Sequence, residues 1–265
     1  MNPGFGRLYG SPSIDSEPEQ WFNRGMILSA GQPYFAPFSG YFYKIRCSDL
    51  FVILDRVQFP RGTTWLNRNR FKNDQGTLWM TIPVRRKGLG VQRIDRVRID
   101  HEGRWSKKHL ASLINAYQNA PYFREHIPFL EGVFLKKFEN LADLNLEIIH
   151  YLLMNLGIRS RVILLSELGI DERGDRLILE ICKRTGASVF LAQRPARKFM
   201  DPSLFSEAGI RLEFFTPPCP VYPQLWGDFI PNLSTFDLLF NCGPKAGEIF
   251  MGKDDSGAAA PEGIS

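Results

Sequence analysis

Apolar and polar positions follow three rhythms along this chain. Short apolar runs bounded by turn formers occur at Met26–Ala30, Leu50–Leu54, Val162–Leu165 and Val189–Ala192. Runs of this length predict buried strands, and so does Ile210–Phe215. A helical spacing of apolar residues appears between and after them. Phe38, Tyr41, Phe42 and Ile45 predict a helix over 38–46, after Gly31-Gln32-Pro33 breaks the first strand. Further helices are predicted over 175–185, closed by Gly186, and over 202–208. In the last one, running through Asn241, Ser234 is placed to cap the free amides and Asp237 stands at the third helical position. Residues 104–157 also read as helical. Trp105, Leu110, Leu113, Ile114 and Tyr117 share one face, Pro121 and Pro128 divide the region, and Leu141–Leu156 ends at Gly157. The third rhythm is strict alternation. It marks Trp65–Phe71, Leu78–Val84 and Val91–Ile99 as half-exposed strands, with a turn at Lys87-Gly88-Leu89-Gly90.

Strands alternating with helices predict an α/β fold. The expected architecture is a mostly parallel sheet flanked by helices, with an inserted antiparallel β meander and a helical segment. Residues 1–20 and 251–265 are rich in Gly, Pro, Ser and acidic groups. They are expected to be a disordered extension and tail around a single domain over 21–250.

Composition narrows the partners. The chain has 265 residues, 44% hydrophobic and 23% charged, with a net charge of +5. Arginines crowd the middle at Arg61, Arg68, Arg70, Arg85, Arg86, Arg93, Arg96 and Arg98, which favours anions: phosphorylated small molecules, nucleic acid or acidic lipid. The alternative is a solvated basic surface. No run of about 18 apolar residues predicts a membrane span, and the first twenty residues lack the pattern of a secretory signal. Cys47, Cys182, Cys219 and Cys242 lie far apart, as expected of reduced thiols in a cytoplasmic protein. No phosphate loop, dinucleotide fingerprint, nucleophile elbow or zinc spacing occurs.

The residues that stand out for chemistry cluster near predicted strand ends. Gln32 follows the first strand, where a side-chain amide offers a ligand both donor and acceptor; it is otherwise a link to nearby backbone. Asp55 closes the second strand. It suits a ribose hydroxyl, a metal or the role of base, or else a surface pair with Arg56 or Arg61. Gln58, Asn67, Arg68 and Asn69 follow. Alternation points Asn67 and Asn69 the same way and Arg68 oppositely; the pair suits a polar ligand or simply an edge. His109, beside Lys108, shares a helix face with Leu113 and Tyr117. It suits a general base or a phosphate contact, against the commoner half-buried helical histidine. His101, His126 and His150 read as structural. Ser234, Asp237 and Asn241 recur at helical spacing, facing a site or stabilising the last helix. The expected catalytic pair is Asp55 and His109. Tyr41, Lys108, Tyr117 and the other residues named are expected to contact substrate, and no metal ligand set is identified.

Several segments carry a resemblance. QPYFAPFSGYFYKIRCSDLFVILDRVQF, NRN, TIPV, RWSKKHLASLINAYQNAPYF and YPQLWGDFIPNLSTFDLLFNCG resemble the WbqC-like family of bacterial proteins, from about Gly25 to Gly243. The resemblance implies an association with surface-polysaccharide (O-antigen) gene clusters. It also implies a role in attaching an amino acid such as glycine to a sugar. The family tends to carry a Ser-Gly pair and a following Tyr where this chain has Ala192, Gln193 and Phe199, and a tryptophan where it has Phe38. Phe38-Ser39-Gly40-Tyr41 also occupies the frame in which nucleotidyl transferases of the HxGH type carry two histidines, both absent here.

The expectation is therefore a cytoplasmic transferase moving an amino-acid or acyl group to a sugar, with an anionic or nucleotide-linked small-molecule substrate and a cofactor that the sequence leaves unknown. The alternatives are a ligand-binding protein without turnover and a tRNA- or nucleotide-binding protein. The transferase reading places Gln32, Asp55 and His109 around one crevice at the sheet edge, whereas tRNA contact would run through the basic strands.

Overall fold

The computed structural model describes residues 25–251. Strand β1 (Ile27–Gly31), helix α1 (Ser39–Arg46) and strand β2 (Leu50–Ile53) come first. A hairpin of β3 (Arg68–Asn73) and β4 (Gly76–Thr81) follows, then helices α2 (Trp105–Tyr117), α3 (Phe123–Leu135) and α4 (Leu141–Asn155). The chain re-enters the sheet through β5 (Arg161–Leu164), α5 (Leu165–Leu168), α6 (Gly174–Thr185) and β6 (Val189–Gln193). It finishes with α7 (Pro202–Glu207), β7 (Arg211–Phe215), α8 (Thr235–Cys242) and α9 (Ala246–Met251).

The main sheet has the order β5-β2-β1-β6-β7, with every pair parallel. The fold is α/β, as the sequence predicts. Its strands are apolar on both faces because both faces are covered. Phe51 and Ile53 of β2 join a core with α1 to α4 and α8, while Leu50 and Val52 join a second core with α6, β6 and α7. Each such buried side chain contributes about 1.5–3 kcal/mol. The order reverses at β1: β2 and β5 build outward on one side, β6 and β7 on the other. In sheets of this kind ligands sit at the carboxyl ends of the strands at the reversal.

Two expectations need correction. The inserted β element is a two-stranded hairpin, not a three-stranded meander. Residues 91–99 contain a short 3-10 turn at Ile94–Arg96 and meet the rest through isolated bridges, Gln58 to Arg93 and Val84 to Ile99. Their amides bond elsewhere, Ile94 N to Val57 O and Ile99 N to Glu139 O, so the apolar alternation reflects burial of Ile94, Val97 and Ile99 without a ladder. Pro128 does not divide the helical region. It lies inside α3, whose buried stripe of Phe123, His126, Leu130, Val133 and Phe134 holds the helix through the missing proline N–H. The expected extension and tail lie outside the described residues, apart from Met251 at the end of α9.

Candidate functional site

The carboxyl edge at the reversal is assembled from β1, α1 and β6. Gly31 closes β1, and a side chain there would meet Phe51 Cζ at 3.0 Å and Lys44 Nζ at 3.2 Å. The missing Cβ lets Lys44 pass beneath the strand end, where Nζ donates to Ala30 O at 2.7 Å. Burial lowers the Lys44 pKa to about 8. Tyr41, one turn earlier, is buried against Tyr34, Phe42 and Phe51. Its hydroxyl has no hydrogen-bond partner among the described residues, and burial pushes its pKa well up. Gln32 is half-buried just beyond Gly31. Across the reversal, Gln193 ends β6 and its amide donates to Gly40 O at 3.4 Å. The basic turn Arg194–Lys198 follows at once.

The connection from β1 to α1 is fixed from three distant parts of the chain. Asn145 Nδ2 donates to Pro33 O at 2.8 Å and Leu66 O at 2.7 Å. Asn69 Nδ2 donates to Phe35 O at 2.9 Å and Ala36 O at 2.7 Å. Thr235 N donates to Pro37 O, and Phe35 N to Trp65 O. Ala36 is thereby held at φ 43°, a left-handed conformation that persists in a non-glycine residue only where its surroundings over-determine it. The Asn67 amide is likewise engaged by backbone, donating to Ile82 O at 2.9 Å. Asn67 and Asn69 do point together into the interior, with Arg68 opposite. There the Arg68 guanidinium lies 3.9 Å from the centre of the Trp79 ring, which stacks with Trp65.

Asp55 sits one strand along the same edge, 5% exposed. Its Oδ1 accepts from Ser166 N at 3.0 Å, at the start of α5, rather than pairing with Arg56 or Arg61. Burial raises its pKa, Ser166 opposes this and Asp95 adds to it. His109 is placed elsewhere. Its Nε2 meets Thr81 O at 2.9 Å and its ring packs edge-on against Trp105 and Phe134. Burial lowers its pKa, against the bond to Thr81. These contacts fasten His109 to the hairpin, and none is shared with Gln32 or Asp55. Gln58 is exposed on its bridge to Arg93, and Lys108 is exposed on α2.

The remaining sequence candidates converge behind the hairpin. Tyr117 donates to Asp237 Oδ2 at 2.7 Å and accepts from Lys72 N at 2.8 Å. Asn241 Nδ2 donates to Asp237 O at 2.8 Å, and Ser234 caps α8 by accepting from Phe236 N at 3.4 Å. Lys72, 2% exposed, reaches Gln224 Oε1 at 3.1 Å and Asp228 O at 2.6 Å. Burial raises Asp237, against Tyr117, Tyr222 and Lys72. Burial lowers Lys72, against the charges of Asp237 and Asp228. Such mutual perturbation marks functional clusters and buried structural networks alike. Lys44, Lys72, Asn145 and Tyr222 were not singled out from sequence. For Lys44 the signal was present: a lysine inside the apolar stripe of GYFYKIR.

Fold and edge together define an α/β domain whose parallel sheet reverses its strand order at β1. The WbqC-like protein family matches residues 32–249, and the chain belongs to that family. It is 33% identical over 217 residues to the uncharacterized protein Rv1507c of Mycobacterium tuberculosis, covering 81% of this chain and 93% of that protein. No solved structure matches. Among the described residues no helix is long and apolar enough to cross a membrane.

Proposed function

We propose that this chain is a transferase acting on an activated, anionic small molecule, a nucleotide-linked sugar or an amino-acid donor, at the crevice between β1 and β6. One observation carries this reading: the Lys44 amine and the Tyr41 ring both close on Gly31 under the end of β1, at the strand reversal, and the Tyr41 hydroxyl has no hydrogen-bond partner among the described residues. An amine with a pKa near 8 exchanges its proton close to neutrality, as a transfer to an amine or hydroxyl acceptor needs. Arg194, Arg197 and Lys198 supply charge for phosphate oxygens, and the Gln32 amide supplies directional bonds. Asp55 and His109 stay in the reading as further proton acceptors, Asp55 on this edge and His109 only by approach of substrate along the hairpin. The association with surface-polysaccharide assembly that the sequence resemblance implies fits a biosynthetic setting of that kind.

The test is a panel of nucleotide sugars and aminoacyl donors with sugar acceptors, read by mass spectrometry. Transfer is expected, falling at least about 100-fold in Asp55→Ala and Lys44→Ala while donor affinity changes little. Tight donor binding with no product across the panel replaces transfer with a ligand-binding role. Burial of two of the four thiols supports that second reading, with Cys182 pushed up to about 12 and Cys242 to about 11. Steeply salt-dependent tRNA binding, with no small-molecule binding, overturns both.

A further inference from the structure

A cleft of about 350 Å³ opens where the β3–β4 turn, α2 and the segment 222–232 meet. The buried network behind the hairpin ties its three walls together. Lys72 joins the hairpin to Gln224 and Asp228, Tyr117 joins α2 to the hairpin, and Trp226 Nε1 donates to Ala116 O at 2.8 Å. Trp226 is held at φ 63°, which a bulky residue adopts only under such restraint. The cleft is therefore built before any ligand arrives.

Its lining mixes Asn73, Asp74, Ser112 and Asn115 with Leu78 and the Trp226 ring. Gln75 engages one oxygen each of Asn73 and Asp74. The side chains of Ser112 and Asn115 make no hydrogen bond among the described residues. We propose that this cleft binds a small neutral polyol ring, a single monosaccharide unit. Amide, hydroxyl and carboxylate groups at short spacing match adjacent hydroxyls, which both donate and accept. The indole and Leu78 match the C–H face of such a ring. Asp74 is the one charged group of the lining, so an anion is repelled. The volume lies at the small end of ligand clefts, roughly 300–1,000 Å³, which suits one ring rather than a chain. The proposal rests on this lining alone and stands whether or not transfer occurs at the sheet edge.

Saturation-transfer NMR and calorimetry on the full chain test it. The probes are neutral hexoses, N-acetylhexosamines, uronic acids and inorganic phosphate. Neutral rings are expected to bind, and Asn115→Ala and Asp74→Ala each to weaken them at least about tenfold. Both residues are exposed, so the urea midpoint should stay unchanged and report an intact fold. Uronic acid or phosphate binding that Asn115→Ala or Asp74→Ala also weakens, and that therefore occurs in this cleft, overturns the proposal. So does neutral-ring binding that survives both substitutions, or no binding of any probe. Nucleotide binding in the same samples reads the sheet edge separately, so failure of one site is distinguishable from failure of the other.

Discussion

Among the described residues, at the sheet edge Lys44 Nζ has one carbonyl partner and the Tyr41 hydroxyl has none, whereas behind the hairpin Lys72 Nζ has two acceptors and Tyr117 both donates and accepts. Both regions bury a lysine near a tyrosine. In the first, the tyrosine hydroxyl lacks a partner among the described residues and the lysine has a single one, while the backbone around them is fixed by Asn69 and Asn145. In the second, the groups largely satisfy one another and fix the chain segments instead, with Asp237 Oδ1 the exception. The difference separates two uses of a buried charge. One leaves bonding capacity for an incoming molecule, and the other holds a wall in place.

Four substitutions sharpen or break this contrast. Lys72→Met should have the largest effect on stability, about 3 kcal/mol lost, because it leaves Gln224 Oε1 and Asp228 O with no charged donor. Urea unfolding reads it, and a loss below about 1 kcal/mol would mean the network holds nothing. Asn69→Ala strands two buried carbonyls and should lose about 2 kcal/mol. It should also loosen donor binding at the edge, by calorimetry, because Ala36 is freed.

Lys44→Met should move the other way. The folded pKa, about 8, lies below the ordinary 10.5, so the folded state prefers the neutral amine. That contribution is fully present above pH 10.5 and is lost as pH falls through 8. At pH 7 the wild type therefore carries a penalty of at most about 3 kcal/mol, reduced by the partial exposure of Lys44 and by its bond to Ala30. The variant should be about 1–2 kcal/mol more stable at pH 7 and lose the slope between pH 8 and 10.5. Unfolding at pH 7 and 10 decides it; a slope that persists in the variant assigns it to another group. The smallest effect is Ala36→Gly, expected to gain about 1 kcal/mol by relieving the left-handed backbone. A thermal melt checks it, and a fall in melting temperature would show that Ala36 is not strained.

The sheet was readable because its strands are apolar on both faces and bounded by Gly and Pro. The third strand of the meander does not form because Ile94, Val97 and Ile99 are buried by neighbours that meet this segment through isolated bridges and single bonds, not a ladder. Tyr117, Ser234, Asp237 and Asn241 stood out by spacing on their helices, and the structure brings Tyr117 and Asp237 into contact. The roles of the amides were less legible. Asn67 and Asn69 face inward as alternation requires, yet their partners are backbone carbonyls, which side-chain identity does not reveal. Lys72 and Asn145 gave no warning because their partners lie 156 and 112 residues away, at Asp228 and Pro33.

The clamp on the β1–α1 connection also sets a timetable for synthesis. Proline 37 waits for the amide of Thr235, and residues 33 to 36 wait for Asn69 and Asn145. A nascent chain can form the helix of residues 39–46 early and can tie residues 33 to 36 once residue 145 has emerged, but the bond to Pro37 O forms only after residue 235 has left the ribosome. A product cut short before residue 235 would keep its lysine and tyrosines and lack the last bond of the frame that aims them.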